Sequence, residues 1–234
     1  TESTPVLRQI KLILKKLTAL CDLTDELLFG SAVDMGKLIT QLMTNAIAYK
    51  LDRLQIATGT GAGEMLSVLN GLDIQTVAQE SGQTEGVVYA NITKMLEAMN
   101  PDAWPNALWL ASPSLVHELL QLNQKIGTGG SGVKVLDFET KTWTLLGLPL
   151  RFTQALPVAK SAGALMLANF KAYSTLTRDE MLIRHTDSDS SKFAQDISTY
   201  KITLYSDGQP TAAGTTTLAD GSTTVSNFVK LGAI

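Results

Sequence analysis

The stretch from Ser31 to Gly63, SAVDMGKLITQLMTNAIAYKLDRLQIATGTGAG, limits the possible fold more than any other part of the chain. Met35, Leu38, Ile39, Leu42, Met43, Ala46, Ile47, Tyr49 and Leu54 recur in it at three- and four-residue intervals. That spacing predicts an α-helix with one buried stripe. Ser31 and Asp34 read as a capping pair at its start, with acidic charge at the positive end of the helix dipole. No proline interrupts the run, and Thr58-Gly59 reads as its stop, because glycine accepts the left-handed conformation at a helix C-terminus. A helix of about 26 residues, over roughly 31–57, reaches about 39 Å. Small domains rarely need one so long, so it reads as a spine from which other elements hang.

Residues 6–23 alternate, with Ile10, Leu12, Leu14, Leu17, Ala19, Cys21 and Leu23 at every second or third position. They predict a strand or pair of strands with one buried face, leaving Lys11, Lys15 and Lys16 toward solvent or a partner. Thr24-Asp25-Glu26-Leu27-Leu28 reads as a capped helical turn. Beyond the spine, Gly86–Met99 predicts a helix ended by Asn100-Pro101. The apolar run Ala107–Ala111 predicts a strand buried on both faces, and Ser112-Pro113 a helix start. Gly127–Gly132 reads as a flexible loop. Strand-like pieces follow at Val133–Phe138, at Trp143–Phe152 (broken by Gly147-Leu148-Pro149) and at Leu165–Leu167. Tyr173–Leu176, Met181–His185, Ile197–Leu204 and Ser226–Leu231 read as antiparallel strands. The fold class is α+β, two lobes sharing the spine.

Composition narrows the functions. A net charge of −3 supplies no global field for nucleic acid or an acidic membrane. A single cysteine, Cys21, excludes an internal disulfide and a multi-cysteine metal site, and reads as a small buried hydrophobe. No apolar run reaches the roughly 18 residues needed to span a bilayer, and no signal peptide is visible, so a soluble protein made in a reducing cytoplasm is expected.

Polar residues do not converge on a reaction. Thr58–Gly63 resembles a phosphate loop only in composition: its glycines follow a predicted helix, and no Gly-Lys-Ser/Thr occurs. His117 and His185 are too few for a histidine-rich metal site, and Asp187/Asp189 sit among serines that favour a solvated turn. The adjacent pairs Asp25/Glu26 and Asp179/Glu180 are expected to splay, and no Gly-x-Ser-x-Gly elbow is present. No enzyme activity and no cofactor or metal are expected.

Five segments occur here in an order met in one family: KLILKKLTALCDLTDELL at Lys11–Leu28, LDRLQIATGTG, ALWLASPSLVHELLQL, TLLGLPLRFTQALP and LMLANFKAYSTLTRDEMLIR. Over residues 10–205 the chain resembles the major capsid proteins of tailed bacteriophages and prophages, with the Hong Kong 97-like fold. The resemblance implies a peripheral lobe of residues 1–65 and 173–212 containing the spine, with 1–16 the end of an extended loop. It implies an axial lobe of 66–172 and 222–234, of mixed sheet and helices. It implies self-assembly into pentamers and hexamers that close an icosahedral shell around double-stranded DNA, in a virion made in a bacterial cytoplasm and without membrane contact. Portal, scaffold and head-maturation protease are the implied partners.

By the same resemblance, Gly127, Thr128, Gly129, Gly130, Ser131 and Lys134 point toward a capsomer axis, and Lys11, Lys15 and Lys16 toward a neighbouring subunit. An N-terminal arm and most of an extended hairpin, usual in the family, are not recognised ahead of Lys11. Some members weld subunits through a Lys–Asn isopeptide bond assisted by a Glu. Asp196 and Thr203 stand where the Asn and Glu would fall, so no such cross-link is expected. The Thr/Gly-rich 206–226 segment does not align. Two other readings are an encapsulin-like compartment and a small α/β enzyme binding nucleotide at Gly59–Gly63.

Overall fold

The computed structural model describes residues 9–31, 34–80, 83, 86–126, 131–134, 136–137, 142–178, 180–186, 192 and 195–233. In chain order the first elements are β1 (Lys15–Thr24), α1 (Asp25–Gly30), α2 (Met35–Arg53) and a π-helical turn, Leu54–Thr58. Next come β2 (Ile74–Val77), α3 (Tyr89–Glu97), β3 (Leu108–Ala111), α4 (Val116–Leu120), β4 (Asn123–Ile126), β5 (Ser131–Lys134) and β6 (Leu136–Asp137). The remainder is β7 (Thr144–Leu145), β8 (Leu148–Phe152), β9 (Leu165–Ala168), β10 (Tyr173–Thr177), β11 (Leu182–Thr186), β12 (Ile197–Pro210), β13 (Thr216–Thr217), β14 (Thr224–Val225) and β15 (Phe228–Leu231).

Two sheets organise the chain. In the first, the 14-residue β12 is the central strand: β1 lies antiparallel along one side, while β11 and β10 pair in turn with the other. Of the alternation read over 6–23, only the part from Lys15 onward is strand. In β1, Leu17, Ala19, Cys21 and Leu23 line the face that also carries Ile202 and Leu204 of β12, whereas Ile10, Leu12 and Leu14 precede the strand in irregular backbone and residues 6–8 lie outside the described residues. Helix α2 covers that face with Ile39, Met43 and Ile47, all buried. Each such side chain contributes about 1.5–3 kcal/mol by leaving water, so this stripe fixes the spine to the sheet.

The spine differs from its sequence reading in three ways. Its cap is Asp34, whose carboxylate accepts the Lys37 N–H at 3.1 Å, whereas Ser31 closes α1. The apolar positions form two stripes: Leu38, Leu42 and Tyr49 are 40%, 57% and 46% exposed, because the sheet is wide enough to cover only one side of the helix. Gly59 is extended (φ −64°, ψ 128°), not left-handed. Its glycine identity comes from close approach, since a Cβ there would lie 2.3 Å from the Met65 carbonyl oxygen and 2.5 Å from that of Leu54. The π turn explains the crowding. It leaves the Gln55 and Ile56 carbonyls free to accept from the Val68 and Leu69 N–H groups, which ties the following loop onto the helix end.

The second sheet has the order β2-β15-β9-β3-β8-β7-β6, with β2∥β15 and β3∥β8 the parallel pairs. β3 and β9 are buried on both faces, as the run 107–111 predicts. Trp109, Leu165 and Leu167 pack with α3 and α4 on one side, and Leu110, Met166 and Phe228 with Val68 and Leu69 on the other. The Trp109 indole N–H donates to the Leu145 carbonyl at 3.1 Å, which satisfies the one polar group of a fully buried ring.

Several local expectations shift. Leu148 and Pro149 belong to β8, and the break falls at Leu146-Gly147, both at positive φ, as a tight hairpin requires. Neither Thr24 nor Ser112 uses its side chain as a helix cap: Thr24 ends β1, and the Ser112 hydroxyl pairs with that of Ser114. Ser131 and Gly132, expected in a loop, begin β5. Cys21 is half-buried, at the rim of the first sheet's core. The segment 206–226 completes β12 and adds the β13–β14 hairpin.

Candidate assembly surfaces

Residues Gly127, Thr128, Gly129 and Gly130 lie outside the described residues. Their flanks do not: β4 and β5 pair antiparallel with Ile126 opposite Ser131 and Asn123 opposite Lys134. Ser131 and Lys134 are the two ends of β5.

The three N-terminal lysines separate. Lys11 is exposed, and its backbone carbonyl accepts from the Gln209 side chain at 3.4 Å. Lys16 is exposed on the side of β1 away from α2. Lys15 turns partly inward, its side chain 24% exposed. Its ammonium is 3.4 Å from the buried Asp207 carboxylate and donates to the Gly61 and Glu64 carbonyls. Asp207 also accepts the Ile13 N–H at 2.7 Å. Beside it, the Tyr173 hydroxyl donates to the Leu66 carbonyl at 2.8 Å. Burial, and then the Asp207 charge, push the Tyr173 phenol well above its ordinary range. This cluster fastens β1, β10, β12 and the 59–66 loop together, where the two sheets adjoin. The sequence held no local sign of it, because Lys15 and Asp207 are nearly the length of the chain apart.

The same cluster decides what Gly59–Gly63 can do. A phosphate cradle needs backbone N–H groups aimed at an anion. Here the Thr60 N–H and hydroxyl both donate to the Glu64 carboxylate at 3.1 Å, and the loop's carbonyls face Lys15. The open cleft alongside, about 550 Å³, is lined by Lys11 and Lys15 as well as Asp207, and Lys15 is engaged by that carboxylate and by the loop's carbonyls. The Glu64 carboxylate holds the Thr60 donors and the Met65 carbonyl holds the Gly61 N–H, so these groups close the loop on itself rather than point at an anion.

No group of three or more His, Cys, Asp or Glu residues placed to hold a metal occurs among the described residues. His117 is exposed beside Gln121, and His185 packs on the Tyr200 ring at 5.0 Å. Asp179, Asp187 and Asp189 lie outside the described residues. No described helix is long and apolar enough to cross a membrane.

What the surface offers instead is breadth. Beyond the unused stripe of α2, Phe29 at the end of α1 is 82% exposed, Leu72 77% and Leu20 66%. These side chains offer apolar area that contact with further protein would bury.

Comparison with known proteins gives three results. The model of the phage capsid family, described as such, matches residues 1–215. No curated protein matches in sequence. Among solved structures, the capsid of a native GTA particle aligns over 99% of this chain and 76% of its own, at TM-score 0.76 and 15% identity. A chain from a structure of Mycobacterium phage Bobi aligns over 94% of this chain and 72% of its own, at TM-score 0.64 and 12% identity. The SrpI encapsulin of Synechococcus elongatus PCC 7942 aligns over 94% and 74%, at 0.61 and 11%.

Proposed function

The chain belongs to the phage capsid family, and from that premise we propose that it is the major capsid protein of an icosahedral phage or prophage head, built from pentamers and hexamers around double-stranded DNA. The observation that carries the reading is the family match over nearly the whole chain, joined to a fold shared with capsid chains. The Hong Kong 97-like fold by itself also serves an encapsulin, so the family match is what favours a genome container over a cargo compartment.

The presence of two sheets supports a two-lobed reading. Residues 1–65 and 173–212, with β12 and the spine, form the peripheral lobe; 66–172 and 222–234, with the seven-stranded sheet, form the axial lobe. The β4–β5 pair with Ser131 and Lys134, and residues 127–130 between its strands in sequence, point to the capsomer axis, and Lys11 and Lys16 to a neighbour. Lys15 serves there indirectly, by holding the strand that presents them. The protein works as a building block without catalysis, and portal, scaffold and head-maturation protease are its partners. Packaged DNA meets scattered lysine and arginine side chains through phosphate, without base reading.

The test is electron microscopy of the gene product expressed alone and with its neighbouring head genes. Closed shells or five- and six-membered rings support the reading, and their contents separate head from compartment. A chain that stays monomeric at high concentration in both settings refutes it.

A further inference from the structure

We propose that the open face of the β1–β12–β11 sheet docks carboxylates of a second copy of this chain, through Lys16, Arg184 and Lys201. The proposal rests on the shell reading above and adds a partner surface to it.

Strand register places these residues. On the side of the sheet away from α2, Lys201 of β12 stands directly opposite Arg184 of β11 and, on its other flank, opposite Leu20 of β1. Two residues along, Thr203 faces Leu182 and Thr18; beyond them Tyr205 faces Lys16. Lys16, Leu182, Arg184, Lys201, Thr203 and Tyr205 line one shallow groove, with no acid among them. Like charges directly opposite across a sheet oppose pairing, and none of the three cations has an ion pair among the described residues. The neighbouring row of the same face is different: Asp22 accepts from Lys192 at 2.7 Å and from Thr199, and its carboxyl lies below its ordinary value for that reason. One end of the face is neutralised within the chain, and the other is left cationic.

The groove also indicates the size of the anion. At about 70 Å³ it has room for one or two carboxylates. The chain itself carries the acid, with 22 Asp and Glu against 19 Lys and Arg. Glu26, Asp52, Glu97 and Asp102 are exposed and unpaired among the described residues. Leu20, 66% exposed at the groove's edge, adds apolar area for the same contact. A cationic face meeting an acidic surface elsewhere on an identical chain is a head-to-tail contact, the kind that closes rings.

The test uses shells assembled from an equal mixture of isotopically light and heavy chains, coupled with a zero-length carbodiimide and read by mass spectrometry. Mixed-isotope links from Lys16 or Lys201 to an Asp or Glu are expected; same-chain links only, or none, overturn the proposal. In parallel, the Arg184→Gln/Lys201→Gln variant should keep or raise the melting temperature of the unassembled subunit, because it removes a repulsive pair. It should also raise the protein concentration for half-assembly about tenfold at low salt, an effect fading as salt rises. Unchanged assembly with loss of packaged nucleic acid would assign the cations to phosphate and overturn the carboxylate reading alone. Failure of the wild-type chain to assemble overturns the shell reading and this one with it.

Discussion

Replacing Gly59 separates two reasons for a glycine at a helix end. The backbone there is extended, so alanine faces no torsional penalty. Its Cβ, however, would sit 2.3 Å and 2.5 Å from the Met65 and Leu54 carbonyl oxygens. Both are backbone atoms that already accept, from the Gly61 N–H at 3.0 Å and the Gly59 N–H at 3.2 Å. Relief therefore requires the helix end and the loop to part. Overpacking of this kind costs about 2 kcal/mol, and weakening one of the two bonds about 1 kcal/mol more. A loss of ~3 kcal/mol lowers the melting temperature of a chain of this size by about 6–12 °C. The assay is thermal unfolding of the unassembled subunit by circular dichroism. Asparagine tolerates left-handed angles, so it rescues a glycine chosen for conformation but not one chosen for space. Gly59→Asn should thus be as damaging as Gly59→Ala. At Gly63, with φ +77° and open space around a Cβ, asparagine should be milder than alanine. Recovery of about 1 kcal/mol by asparagine at 59 would refute the steric account.

Other perturbations follow from the same junction. Lys15→Met leaves the Asp207 carboxylate buried with only the Ile13 N–H, and should cost about 2–3 kcal/mol in urea unfolding, less than a fully buried pair because Lys15 keeps 24% exposure. Adding Asp207→Leu should restore part of that loss; full additivity would argue against a direct pair. The raised Tyr173 phenol keeps its proton in the fold when the unfolded chain has lost it. Stability should therefore be intact below about pH 10 and fall as pH rises above it, and Tyr173→Phe should flatten that alkaline slope while losing the bond to Leu66. Millimolar nucleotide with magnesium should leave the melting temperature within about 0.5 °C, wild-type and Gly61→Val alike; a saturable rise confined to wild type would revive the nucleotide reading.

Sequence patterns disclosed the elements whose signals are local. The second half of the period-two run in 6–23 and the wholly apolar 107–111 became β1 and β3, because alternation and continuous burial each reflect how many faces a strand covers. Ile10, Leu12 and Leu14 alternate as well but have no partner strand among the described residues. The spine was visible, but its two stripes were not separable: Leu38 and Leu42 keep the same spacing as Ile39 and Met43, and only the sheet's width decides which set is covered. Ser206–Pro210, in the segment that does not align with the family, is the end of β12, since Lys15 and the Tyr173 strand hold it in place from opposite ends of the sequence. The cationic groove was equally invisible, because Lys16, Arg184 and Lys201 become neighbours only through register.

The antiparallel match of β1 to β12 also sets an order of events in biosynthesis. Ala19 pairs with Ile202, about 180 residues downstream. At about 5–20 residues per second, the ribosome exposes β1 and the α2 stripe for roughly 10–40 s before their central strand emerges. Ile39, Met43 and Ile47 spend that interval without the surface that later covers them. Such high contact order slows folding and keeps sticky surface available, so newly made chains are clients for chaperone capture before they are partners for one another.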